Sequence, residues 1–298
     1  VSFKHSSRKV RIKKHAASKF TFLTHTFDLA TYANPEAVRA LLQKDASLGG
    51  GVGRDLTGDK ATYHREWFGM SGPAEPAQQI ADIVAHGDPA STERVTRALR
   101  EAEGFSVPGS LAIKPVWQGR RATGQRFDLE AVLSGDPLPW GRFEPRRIGQ
   151  GSKIVSLYAA LGANADKSAE QLGWAPVAGL VVADLLEQAG YRVEIWGADR
   201  ANQNHFKYSQ IRVLLKGADV PLDLNAVTRA THPAIARALM MPLSLSVWGP
   251  SIVDPLDYGH TDRIKPSEFG DNDAVVVQHT YSLQEAKAEV ARIVALFA

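Results

Sequence analysis

At 298 residues, with 44% hydrophobic and 22% charged side chains, the chain has a globular composition and the length for one large domain or two smaller ones. It has no cysteine, which excludes disulfides, thiol nucleophiles, cysteine-ligated zinc and iron–sulfur clusters. Its 35 Lys and Arg face 32 Asp and Glu, and the excess is concentrated at the amino terminus: Lys4, Arg8, Lys9, Arg11, Lys13, Lys14 and Lys19 all precede the first acid, Asp28. Setting those seven aside leaves 28 basic against 32 acidic residues, so a body of −4 carries an arm of +7.

A basic arm on an acidic body points to a polyanionic partner: nucleic acid, or an acidic partner protein in an oligomeric assembly. Seven flexible charges position a protein on phosphates without reading base edges. The competing reading is a solvated tail. Val10-Arg11-Ile12-Lys13 alternates like a strand and lacks the amphipathic helix of an organellar transit peptide. The arm also lacks the apolar stretch of a secretory signal, and no apolar run approaches the ~18 residues that span a bilayer. A cytoplasmic or virion setting with no membrane contact is expected.

In chain order, Phe20–Leu23 reads as a short strand, and Asn34-Pro35 starts a helix running to about Lys44, with Asn34 as cap. Gly49-Gly50-Gly51-Val52-Gly53 reads as a mobile linker, and no Lys-Ser/Thr follows to make it a phosphate loop. Helices are predicted over Pro76–Ala85 and Ser91–Glu103, the second carrying Arg94, Arg97 and Arg100 on one solvated face. Leu111–Trp117 reads as a strand, Gln118–Arg121 as a turn and Phe127–Leu133 as a short element. Arginines and aromatics mix in Trp140–Arg147, which reads as a packing seam between two halves.

From Lys153 the pattern becomes strand-then-helix. Ile154–Ala160 has the nearly continuous apolar run of a strand buried on both faces. Trp174–Ala189 is a helix apolar around its circumference, ended by Gly190. Tyr191–Trp196 and Gln210–Lys216 read as strands, Asp223–Met241 as one helix or two with Pro233 in the first turn of the later one, and Leu243–Trp248 as strand-like. Ala274–Val277 is a short buried strand, and Ser282–Phe297 a final amphipathic helix with a Ser282/Glu285 capping box. The expected fold is α/β: a basic arm over 1–19, a mixed α+β region over 20–150, and over 151–298 a Rossmann-like parallel sheet covered by helices.

In such sheets ligands sit beyond the carboxyl ends of the strands. The candidate residues there are Asp166 and Ser168 in the loop after the first strand, Asp223 and Asn225 before the next helix, and His232 ahead of Pro233. Each also has a structural reading: the aspartate and asparagine as caps, the histidine as a cap or a partner for a buried carbonyl. His205, His260 and His279 lack the spacing of a helical zinc pair, and Asp254–Asp262 holds three carboxylates and a histidine in what turn chemistry alone explains.

The order of buried strand, small-residue loop Leu161–Ser168, long helix and strand resembles the von Willebrand factor A-type (VWA) domain. That family places Asp-x-Ser-x-Ser in this loop to hold a divalent ion. In this chain the aspartate's position falls near Ala159 or Ala160, and Asp166 and Ser168 come several residues late, so the resemblance implies a degenerate site without metal or cofactor. Val220–Val227 with Ala230–Ala234, and Arg126–Pro137, resemble stretches of uncharacterised phage- and plasmid-encoded proteins whose carboxyl half is VWA-like. That resemblance covers about residues 110–298, brings no catalytic motif and implies a mobile-element origin. The expectation is a non-enzymatic interaction or assembly protein with no catalytic residues. The alternatives are a Mg²⁺-dependent nucleotide or phosphoester enzyme with its site at the sheet edge, and a structural virion component.

Overall fold

The computed structural model describes residues 21–58, 65–88, 93–95, 97–98, 113–121, 126–127, 140–147, 153–162, 164, 166–203, 207–220, 222, 229, 232–256, 258 and 260–297. The basic arm, Asp223 and Asn225 lie outside these residues, as do Ser91, Arg100 and His205.

Strand β1 (Thr21–Phe27) extends four residues past its predicted end. A 3₁₀ turn leads to α1 (Pro35–Ser47), capped as expected: Asn34 Oδ1 accepts from Glu36 N at 2.9 Å. The glycine run is not a mobile linker. Gly50 caps a second helix, α2 (Gly51–Thr57), which packs tightly on α1. A Cβ at Gly53 would stand 2.1 Å from the Leu42 carbonyl, and one at Gly50 2.1 Å from Asp45 Oδ2, so the glycines permit a close helix–helix joint. Helix α3 (Pro76–His86) matches its prediction.

Strands β2 (Ile113–Arg121), β3 (Arg126–Phe127) and β4 (Trp140–Arg147) form a separate antiparallel sheet in the order β2-β4-β3. The predicted Gln118–Arg121 turn is a register shift within β2 instead. Trp140–Arg147, expected as a seam, is strand β4, and its side chains lie outside those described.

The main sheet is built from β1, β5 (Ile154–Ala160), β6 (Arg192–Asn202), β7 (Lys207–Lys216), β8 (His260–Thr261) and β9 (Val275–Val277), in the order β1-β7-β6-β5-β9 with β8 on β6. Strands β5, β6 and β9 are mutually parallel, and β1 is parallel to β7, but β7 runs antiparallel to β6. The sheet is therefore mixed, which corrects the all-parallel expectation. Only residues 203–206 separate β6 from β7, too few for a crossover, so the chain returns as a hairpin. The β5–β6 connection is a crossover, through α4 (Ala169–Leu172) and α5 (Trp174–Gln188). Every residue of α5 from Trp174 to Ala183 is buried, as its all-round apolarity requires.

Leu243–Trp248 is helical, not a strand. A π-helical stretch, Ile235–Met240, runs directly into α6 (Met241–Trp248). The Leu-Ser-Leu-Ser-Val-Trp alternation imitates a strand, but Leu243, Ser244, Leu245 and Trp248 are all buried on a helix already nucleated upstream. The last helix, α7 (Leu283–Val294), has half of its predicted box: Ser282 Oγ accepts from Glu285 N, whereas the Glu285 carboxylate accepts from Tyr281 N.

One core joins Leu23, Leu42, Leu56 and Ile80 to Ile211, Leu239 and Leu245; a second joins Leu157, Leu180, Val193, Val277 and Ile293. The sheet and the first core both cross the boundary expected at residue 150, because β1 pairs with β7, α1 and α2 pack onto α6, and α3 packs onto the π-helical stretch before it.

Candidate functional site at the carboxyl edge of the sheet

Since β5, β6 and β9 are parallel, their carboxyl ends open on one edge, carrying residues 161–168, 199–203 and 278–281. The sequence candidates described there have structural partners. Asp166 is exposed and pairs with Lys167 Nζ at 2.9 Å, which holds its carboxyl below the usual range. Ser168 caps α4 in a full capping box: its Oγ accepts from Gln171 N and the Gln171 side chain accepts from Ser168 N. His232 is buried, and its Nδ1 accepts from Ala234 N at 3.1 Å, capping the helix that starts at Pro233. Burial lowers its pKa, and a hydrogen bond with the Gly69 backbone opposes that. Asp254 Oδ1 accepts from Leu256 N, the expected turn chemistry.

Asp166 and Ser168 share one loop; His232 sits apart, against Gly69 and Pro233. What ties the two places together is Arg237, which the sequence reading did not select. Its guanidinium is sealed from solvent, donates to the Trp67 and Lys167 carbonyls and stacks on the Trp67 ring at 4.0 Å. It has no carboxylate partner among the described residues, and burial lowers its pKa to about 10. An arginine within Ile235-Ala-Arg-Ala-Leu239, otherwise apolar, was the available signal. Its position in a π-helical stretch is a second one, since such stretches occur frequently at functional sites.

Eight buried side-chain polar atoms lack a hydrogen-bond partner among the described residues, and five of them lie at or just past the carboxyl ends of β6 and β9: Asp199 Oδ1, Asn202 Oδ1, Gln203 Oε1, His279 Nε2 and Thr280 Oγ1. Orphaned polar atoms are costly, so their concentration marks this edge as the place where unused binding capacity collects. His279 lies parallel to Tyr281 with ring centroids 6.4 Å apart, and burial lowers its pKa to about 4 while Asp262 pulls the other way. Lys167 Nζ sits 5.0 Å above the Tyr281 ring. Burial raises the Asp199 carboxyl to about 6, against a small opposing hydrogen bond from the Arg200 backbone.

A small cleft opens beside Asp199, between the β6–β7 hairpin and α6, with Ser209, Ser244, Tyr258 and Thr261 as its other polar walls. Among the described residues no three His, Asp or Glu form a metal-holding group. No helix among them is long and apolar enough to cross a membrane.

The mixed central sheet, flanked by α1–α3 and α6 around one core and by α5 and α7 around another, defines a mixed α/β protein. The chain belongs to the family described as Domain of unknown function (DUF7192), whose model matches residues 21–298, beginning at the first residue of β1. No curated protein and no solved structure matches it.

Proposed function

We propose that the protein is a non-enzymatic interaction protein: a rigid VWA-like body that docks in an assembly, with a basic arm that engages nucleic acid. The charge partition carries this reading. Seven cations stand immediately ahead of the family-matched body, whose own balance is acidic, so the chain's whole basic excess belongs to the arm. The commitment of Asp166, Ser168 and His232 to an ion pair and two helix caps supports a scaffold over a catalyst. The β5–α5–β6 crossover supports the VWA-like reading, and the resemblance to phage and plasmid proteins favours a mobile-element setting for the assembly. An acidic protein subunit is the competing partner for the arm.

Fluorescence anisotropy with short DNA and RNA, for the full chain and for a version lacking residues 1–19, tests the arm. The expected result is binding that disappears on truncation. If all seven charges meet duplex phosphates, log K against log salt has a slope of about −6. Binding that survives truncation, or none by either version, overturns the nucleic-acid reading. A melting temperature raised by Mg²⁺ in the full chain but not in Asp166→Ala would sink the non-enzymatic reading.

A further inference from the structure

Asp199 is the feature that the scaffold reading leaves unexplained. It stands near the end of β6, half-buried as a residue, with Oδ1 sealed from solvent and unpartnered. The neighbouring Arg200 gives it no charge compensation, because that guanidinium is committed to Asp262 and Glu268. Gly162 closes one side so tightly that a Cβ there would lie 1.9 Å from Oδ1. A carboxylate so placed is expensive unless a positive charge sits beside it.

Two neighbouring side chains, Gln203 and Ser244, have spent donors and kept acceptors. Gln203 Nε2 donates to Ser209 Oγ at 2.8 Å and to the Tyr258 carbonyl at 3.0 Å. A carbonyl only accepts, so this contact fixes which end of the amide is nitrogen and leaves Oε1 as an unpartnered, buried acceptor. Ser244 Oγ donates to the Met241 carbonyl at 2.7 Å, which leaves its lone pairs as remaining capacity. Tyr258 holds the arrangement from the far side. It adopts a left-handed φ of 53°, unusual for a residue with a bulky side chain, and its ring hydroxyl is anchored on Asp45 at 2.8 Å and 2.9 Å.

We propose that the cleft between the β6–β7 hairpin and α6 is a binding site for a monovalent metal cation, held by the Asp199 carboxylate with neutral hydroxyl oxygens of the cleft walls, Ser244 foremost. The unpaired carboxylate among the cleft walls selects a cation over an anion. A single carboxylate among neutral oxygens matches a single positive charge, whereas calcium sites commonly gather several carboxylates. This inference is independent of what the arm binds.

Thermal unfolding of the full chain tests it, at constant ionic strength, with tetramethylammonium chloride replaced stepwise by sodium or potassium chloride. The expected result is a rise of about 3 °C when the metal reaches tenfold over its dissociation constant. In Asp199→Asn, a neutral isostere, the rise disappears, and in tetramethylammonium alone this variant melts above the wild type. Ser244→Ala keeps the rise but needs severalfold more metal, and Asp166→Ala leaves it unchanged. No response to sodium or potassium, a response only to Mg²⁺ or Ca²⁺, or an undiminished response in Asp199→Asn overturns the proposal.

Discussion

Two arginines, Arg200 on β6 and Arg237 in the π-helical stretch before α6, are both sealed from solvent, and the fold meets their charges in opposite ways. Arg200 is surrounded by acid. It donates through Nη2 and Nε to Glu268 at 2.9 Å and 3.3 Å, pairs with Asp262 and stacks on Tyr208 at 4.3 Å. Arg237 has two backbone carbonyls and the face of Trp67, with no acid among the described residues. Carbonyl dipoles supply hydrogen-bond geometry without neutralising charge, so burial depresses the pKa of Arg237 to about 10, still charged at neutral pH. A buried cation thus serves two purposes here. Arg200 compensates the Asp262 and Glu268 carboxylates, whereas Arg237 fastens the loops around Trp67 and Lys167 through their backbones.

The largest expected effect breaks the first half of this contrast. Arg200→Met leaves Glu268 and Asp262 uncompensated and costs roughly 3–5 kcal/mol, read as a lower urea midpoint at unchanged slope. Adding Glu268→Gln recovers part of that loss, because it removes the charge that was stranded. A second test extends the contrast to His279, a buried basic group with an unpartnered nitrogen. Its folded pKa lies near 4 against 6.5 in the unfolded chain. Above 6.5 the group contributes nothing; as pH falls from 6.5 to 4 the unfolded chain takes a proton that the folded one refuses, and stability is lost. The loss amounts to roughly 3 kcal/mol by pH 4, and the difference between wild type and His279→Gln across that window measures it. Asp199 acts in the opposite direction, because its raised pKa makes the folded state gain stability as pH falls through about 6. The smallest effect sharpens the second half. Arg237→Met costs about 2 kcal/mol, since two carbonyls lose their donors while an unpaired charge is relieved. No acid-to-amide change rescues it, and hydrogen exchange rises in the 65–70 and 166–168 backbones.

What could be read from the chain follows the reach of each signal. Asn34-Pro35 announced α1, and the nearly continuous apolar run of Ile154–Ala160 announced a strand buried along most of its length, because caps and burial patterns act over a few residues. The glycines at 49–53 were misread because their reason is distant: they make room around Asp45, whose hydroxyl partner Tyr258 lies 213 residues away. The reversal at β6–β7 was legible in principle, since no helical pattern separates Trp196 from Gln210, and a parallel neighbour would need one. At the sheet edge, Asp166, Ser168 and His232 were selected by residue type and position in the chain. The residues with unspent polar capacity, Asp199, Gln203 and Thr280, carried no local signature. Their isolation depends on how β6, β7, β9 and α6 meet, which no short window contains.

The pairing of β1 with β7 sets an order of events during synthesis. The two strands lie in parallel register from Thr21 against Lys207 to Phe27 against Val213, and Arg212 Nε reaches Thr26 Oγ1 across 186 residues of chain. At ordinary elongation rates, the ribosome needs about 10–40 s to travel between them. Through that interval β1, rich in Thr and Phe, waits without the strand it pairs with. The strand that opens the family-matched body is therefore among the last to find its place.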